Sequence, residues 1–219
     1  MRLKLRGDQM PGVYKLGFFR KLLIGLGKRI YYRKAEKVNV LGVSLMIRAV
    51  LRQYQEVLGS LDKAMKIFQS QVAITADEVI TNLIYEPLML GVSMSFALSR
   101  AIQDGPFTIH ALIWGMIGKA YNKTFEYPLL ELNEDGTGKF IIRTKGKSCI
   151  LCSGVHDVTI EDLGDNDYGD ILATLFGTII REAWKYLESP YELLESKETK
   201  CILRGDPCCE ITISFKSKY

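Results

Sequence analysis

The five cysteines are the side chains of this 219-residue chain with the most chemistry to offer, because only two histidines accompany them. Cys149-x-x-Cys152 together with Cys201 and Cys208 would supply four thiolates, the donor set that a soft tetrahedral ion such as zinc takes. Six residues separate Cys201 from Cys208, which is not the spacing of a zinc ribbon or knuckle. Ser148–Cys152 also reads as a strand, and in a strand Cys149 and Cys152 point to opposite faces. Ordinary buried thiols are the competing account, cysteine being among the most buried residue types.

Three of the cysteines crowd the tip of a C-terminal β-hairpin, Tyr191 to Phe215, that turns at Gly205-Asp206-Pro207. Glycine and aspartate suit a tight turn, and Pro207 fixes the exit. Pairing symmetric about that turn sets Leu203 against Cys208 and Cys201 against Glu210. The period of two then puts Cys201, Leu203, Cys208 and Glu210 on one face, and Ile202, Cys209, Ile211, Ile213 and Phe215 on a core face. By this register Cys201 and Cys208 can act as a pair, while Cys209 is packing.

The elements that must position these thiols follow from hydrophobic periodicity. Val43, Ile47, Val50, Leu51, Tyr54, Val57 and Leu58 mark one helix, ending at Gly59-Ser60. A second runs from about Leu61 to Val72, and Thr75-x-x-Glu78 reads as a capping box opening a third. Pro87 breaks that helix, Met89 to Gln103 makes a fourth, and Thr108 starts another with Ile109, Leu112, Ile113, Met116, Ile117 and Tyr121 on its buried stripe. His110 lies off the stripe and reads as a surface or half-buried side chain. From Leu129 the period changes to two, with Leu130-x-Leu132 and Lys139–Arg143 as strands around a turn at Gly136. His156–Asp170 reads as a solvated acidic linker. Leu172, Leu175, Phe176, Ile179, Ile180, Ala183 and Leu187 draw a last helical face, where Gly177 lets another backbone or a ligand come near. The expected fold is α+β, with N-terminal helices packed on a small antiparallel sheet.

Charge divides the chain. Residues 1–37 hold eleven Lys/Arg against Asp8 and Glu36, a net +9, so the remainder carries −5 within the total of +4. The expected organisation is a basic arm, 1–37, on a domain spanning 38–219. Within the arm, Tyr14–Arg33 spaces Phe18, Phe19, Leu22, Leu23, Leu26 and Ile30 as a helix and sets Arg20, Lys21, Lys28 and Arg29 around them. Such a helix can lie on an anionic membrane or meet an acidic partner. The alternative is that its apolar side packs on the body or on a second copy. The cations interleave with aliphatics rather than with a stacking platform, which argues against nucleic acid.

The closing hairpin carries a resemblance. Glu198-x-x-Cys201 and Arg204-Gly205-Asp206-Pro207-x-Cys209-Glu210-Ile211 resemble the end of the vinyl-reductase-type ligand-binding domain of archaeal hydrocarbon-binding proteins and aromatic-responsive bacterial activators. Phe176–Arg181 and Leu203–Asp206 with Glu210-Ile211 are similar to the small subunits of the TRAPP vesicle-tethering complex, which share that α/β fold. The likeness covers roughly Leu88 to Phe215. It implies an apolar cavity between helices and sheet, placed here at Trp114, Met116, Phe176, Ile180 and Trp184, for a hydrocarbon-like small molecule or lipid. It also implies a zinc site, for which Glu198, Cys201 and Cys208 or Cys209 match; the helical cysteine that completes the site in those relatives has no counterpart in Asp170–Phe176. The TRAPP side implies instead an assembly or tethering subunit at a membrane surface.

A non-enzymatic binder is the expectation. Neither His110 nor His156 sits in a nucleophile motif, and no phosphate-binding glycine loop occurs. The excess of apolar helical faces over one modest sheet predicts a homodimer joined by helices in residues 40–103. Leu22-Leu23-Ile24, flanked by Lys21, Lys28 and Arg29, does not read as a signal peptide, and no apolar run is long enough to span a bilayer. Reduced thiols then fit a cytoplasmic protein, at most peripheral to a membrane.

Overall fold

A computed structural model of the chain describes residues 15–34, 40–85 and 94–219. Helices α1 (Phe18–Lys34), α2 (Val40–Leu58) and α3 (Leu61–Tyr85) lead into 3-10 turns at Met94–Ala97 and Ile102–Asp104. There follow α4 (Gly105–Ile117), the single turn α5 (Tyr121–Thr124), strands β1 (Leu129–Leu132) and β2 (Thr137–Arg143), the single turn α6 (Ile160–Leu163), α7 (Gly169–Tyr186), β3 (Tyr191–Lys200) and β4 (Glu210–Ser217). The fold is α+β, and its antiparallel sheet runs in the order β1-β2-β4-β3. The boundary expected between residues 37 and 38 and the break expected at Pro87 lie outside the described residues.

Three expectations about the helices are corrected. The capping box at Thr75 opens nothing, because α3 runs unbroken from Leu61 to Tyr85. Leu61, Met65, Phe68, Val72, Ala76, Ile80 and Ile84 turn inward along it nearly every fourth residue, and a local N-cap preference does not interrupt a buried stripe of that length. The helix expected over Met89–Gln103 is, in its described part, two 3-10 turns around an irregular segment. His156–Asp170 is not a bare linker: Thr159 and Asp162 form a capping box on α6, and Leu163, Asp167 and Tyr168 are buried.

Two large clusters and a small third, Leu16, Ile24 and Ala111, make the core of the described residues. The larger joins α4 and α7 to Phe140, Ile142, Ile211, Ile213 and Phe215 of the sheet. The smaller gathers Ile47 and Leu51 of α2, Leu61 and Met65 of α3, Leu151, Leu163 and Ile171 around four cysteines. Gly177 is where α7 meets β3, since a Cβ there would sit 2.7 Å from Ser196 Cβ while the Ser196 hydroxyl donates to the Ala173 carbonyl at 2.6 Å. We expect Gly177→Ala to destabilise the fold by about 1–3 kcal/mol, because overpacking outweighs the gain in helix propensity. For a chain of this size each kcal/mol lowers Tm by about 2–4 °C, and an unchanged or raised Tm would contradict this packing.

Candidate functional site

Ser148–Cys152 is a turn rather than the expected strand. Ser153 N–H donates to the Cys149 carbonyl at 3.0 Å and Val155 N–H to that of Cys152 at 3.2 Å. That helical curl puts residues three apart on one side, so the Cys-x-x-Cys thiols converge instead of diverging. The hairpin tip differs as well. Ile202–Arg204 is a 3-10 turn closed by Gly205 at φ +95°, and a bulge falls between Glu198 and Lys200. Lys200, not Cys201, opposes Glu210, and Cys201 swings inward to join Cys209. Thr144 holds Cys209 from both sides, donating its N–H to the Cys209 carbonyl at 2.9 Å and accepting the Cys209 N–H on its hydroxyl at 3.0 Å. Cys208 is thereby left half-buried on the opposite side, with Lys200, Glu210 and Arg143 as its charged neighbours. The expected pairing of Cys201 with Cys208 is thus corrected: Cys209 takes that place.

The result is a buried donor cluster that can hold a metal ion. Cys149, Cys152, Glu198 and Cys209 each present a ligand atom within 4.8 Å of the others, and Asp167, Glu198 and Cys201 do the same. Cys152 Sγ lies 3.6 Å from Cys209 Sγ and 3.8 Å from Cys201 Sγ. A tetrahedral ion with metal–sulfur bonds of about 2.3 Å holds its sulfurs about 3.8 Å apart, whereas a disulfide needs about 2.05 Å. The cysteines are free thiols, and these two separations are compatible with a shared cation.

Electrostatics show what the cluster lacks. Hydrogen bonds from Cys152 and then Cys209 push the Cys149 and Cys201 thiols down, while Cys152 and Cys209 are pushed up. Burial first, and the Cys201 sulfur second, push the Glu198 carboxyl up to about 9. Its Oε2 accepts the Gly169 N–H at 2.8 Å, but its Oε1 is buried with no hydrogen-bond partner among the described residues. Gly169 makes this approach possible, since a Cβ there would run into the carboxylate. Burial also raises Asp167 to about 6 against the Arg204 guanidinium, which donates to it at 2.7 Å. A cation would replace the shared protons and give Glu198 Oε1 its missing partner.

Phe140 of β2, the segment Leu98–Ile113 and the α7 face of Phe176, Ile180 and Trp184 enclose an apolar cavity of about 60 Å³. Of the five residues expected there, Met116, Phe176, Ile180 and Trp184 line it and Trp114 does not. Trp114 faces α1, with Lys28 Nζ 5.0 Å over its ring. Phe140 and Ile102 went unforeseen, although the inward alternation of β2 marked Phe140 as core.

The membrane residues expected on α1 part company. Arg20 donates to the carbonyls of Phe96 at 2.8 Å and Leu98 at 3.0 Å, and Lys21 meets Asp104 at 2.6 Å. Burial alone would raise the Asp104 carboxyl, but bonds from Lys21, Leu16 N–H and Ser99 hold it below its ordinary value. Lys28 donates to His110 Nε2 at 3.0 Å. Phe18, Phe19 and Arg29 are exposed. Packing on the body was the alternative expectation, but for the apolar side; the cations make the contact instead.

No protein-family model matches the chain, and no curated protein matches it.

Burial first, and Lys28 second, push the His110 imidazole down from its ordinary 6.5 to about 4. A folded pKa below the unfolded one means that the unfolded chain takes up the proton first as pH falls. The contribution is therefore complete above about pH 6.5 and declines from there toward about 4. We expect Tm to fall less between pH 7 and 5 in His110→Gln than in the parent chain, and equal slopes would contradict the linkage.

Proposed function

We propose that the chain is a non-enzymatic binding protein for an apolar small molecule or lipid chain, held together by a structural zinc site. The observation that carries the reading is the cavity: the residues lining it include no titratable side chain, only the hydroxyls of Ser99 and Thr108 amid hydrocarbon. Such a surface recognises shape and apolarity and offers nothing to move a proton or attack a carbonyl. One water needs about 10–15 Å³ of such space, so about 60 Å³ suits a short aliphatic or single-ring segment rather than a bulky ligand. The resemblance to vinyl-reductase-type domains agrees with this reading and makes a TRAPP-like assembly role the alternative.

Zinc is the ion that best matches the donors. Thiolates are soft, and a buried set with no open position describes a structural rather than a catalytic site. Cys149, Cys152 and Cys209 would hold it, with Glu198 closing the tetrahedron. The exposed Leu45, Met46 and Val57 of α2 and Ile67 and Ile74 of α3 favour a homodimer within the same proposal.

Native mass spectrometry of protein prepared without chelator is expected to show one zinc per chain and a dimer mass. Cys149→Ser and Cys209→Ser should each lose zinc and melt lower, while Cys208→Ser keeps both, because binding at such a site is folding free energy. Metal-free protein with an unaltered Tm would leave the thiols as packing alone. Trp184 fluorescence should respond saturably to a small aromatic hydrocarbon, and Met116→Trp, at an exposed part of the lining, should abolish the response. A flat titration in the parent chain would sink the binding role.

A further inference from the structure

Helix α1 is docked with its polar side inward. Leu16 and Ile24 are buried against Ala111 of α4, and Arg20, Lys21 and Lys28 reach carbonyls, Asp104 and His110 of the body. Phe18, Phe19, Leu22, Leu23 and Leu26 consequently face away, each between 48% and 77% exposed. Their spacing of i, i+1, i+4, i+5 and i+8 makes them one stripe about two turns long. A contiguous apolar patch of that kind marks an interaction surface.

Charge decides what covers it. Among the described residues, Arg20, Lys21 and Lys28 are engaged by the body. Residues 1–37 carry eleven Lys/Arg against Asp8 and Glu36, a net +9 by sequence. Lys15 and Arg29 are exposed on either side of the stripe. A second copy meeting the stripe symmetrically would bring the same positive charge to it, and like charges disfavour that pairing. A bilayer rich in anionic headgroups offers the opposite charge, with apolar depth beneath it for phenylalanine and leucine.

We propose that α1 is a peripheral membrane anchor that lies flat on an anionic lipid surface, its Phe18–Leu26 stripe in the acyl boundary and the exposed Lys15 and Arg29 beside it among the phosphates. The body stays attached through the opposite side of the helix, so docking breaks none of the contacts to Asp104 or His110. No described helix is long and apolar enough to cross a membrane. Attachment is reversible and sensitive to salt.

The test is flotation of the full-length chain with phosphatidylcholine vesicles, with and without phosphatidylserine. At low salt the chain is expected to float with the serine-containing vesicles and not with phosphatidylcholine alone. Each buried Phe or Leu is worth roughly tenfold in partitioning, so Phe18→Ser/Phe19→Ser/Leu23→Ser should abolish flotation while leaving Tm unchanged. Arg29→Glu should lower the partition by at least roughly fivefold, and raising salt should release the parent chain. If the triple variant misfolds, Arg29→Glu and the salt series decide alone. Failure of the parent chain to float, or equal flotation of parent and Arg29→Glu, would overturn the proposal. A triple variant that floats as well as the parent overturns it too. A dimer made monomeric by the triple substitution, with no flotation of the parent, would assign the stripe to a second copy instead.

Discussion

The constraint on which much of the molecule depends is the crowding of four buried cysteines and the Glu198 carboxylate into one region, as two overlapping donor groups that no single element could hold. The turn after β2, the end of β3, the start of β4 and the first residue of α7 each reach that region, and α2 and α3 close over it. Buried without a cation, the cluster must share protons among thiols and keep Glu198 protonated well above its ordinary range. Filled by a dication, the same atoms become mutually satisfied and tie distant segments of the chain together. The smaller core has one buried aromatic, Tyr168, against Tyr121, Phe125, Phe140, Phe176 and Phe215 in the larger, so cross-linking would matter more there.

Periodicity made the long elements legible. The face of α2, the stripe of α7 and the two strands around Gly136 all follow from spacing alone, and the α+β class follows from their order. Spacing failed where a local rule competed with it. Ser148–Cys152 has strand-like residue types, yet the curl of Cys149 to Ser153 is what lets its two thiols meet. A Gly-Asp-Pro sequence invites a symmetric two-residue turn, but the 3-10 turn and the bulge after Glu198 shift the register by one. One residue of shift moves Cys201 from the face of Cys208 to that of Cys209, because the side-chain period of a strand is two. The Cys-x-x-Cys motif itself was in view; assigning it to a regular strand is what hid its role.

The arm shows a different limit. A helical wheel identifies which residues share a face, but not which face the rest of the protein can use. The body offers α1 a buried carboxylate at Asp104, free carbonyls at Phe96 and Leu98, and an imidazole, all of them acceptors. Acceptors in a partly dry site attract cations strongly, and leaving Asp104 unpaired there would be costly. Among the described residues of this segment, Leu16 and Ile24 supply the buried apolar contact. Ion pairing and hydrogen bonding therefore set the orientation of the helix, and its larger hydrophobic face is the one left outside.

Helix α4 is placed between these two arrangements. Ala111 and Trp114 meet α1, while Ile109, Ile113 and Met116 turn toward the cavity. That explains why α4 is apolar nearly all round, a pattern that belongs to a helix with neighbours on more than one side. His110 is the exception, and it accepts from Lys28 across the α1 interface. A displacement of α1 would be felt first by Trp114 and His110, and through one helix thickness by the cavity wall. If α1 attaches to a surface and the cavity takes a ligand, as proposed, both would act on α4, and a change at either side would have a physical route to the other that requires no movement of the sheet.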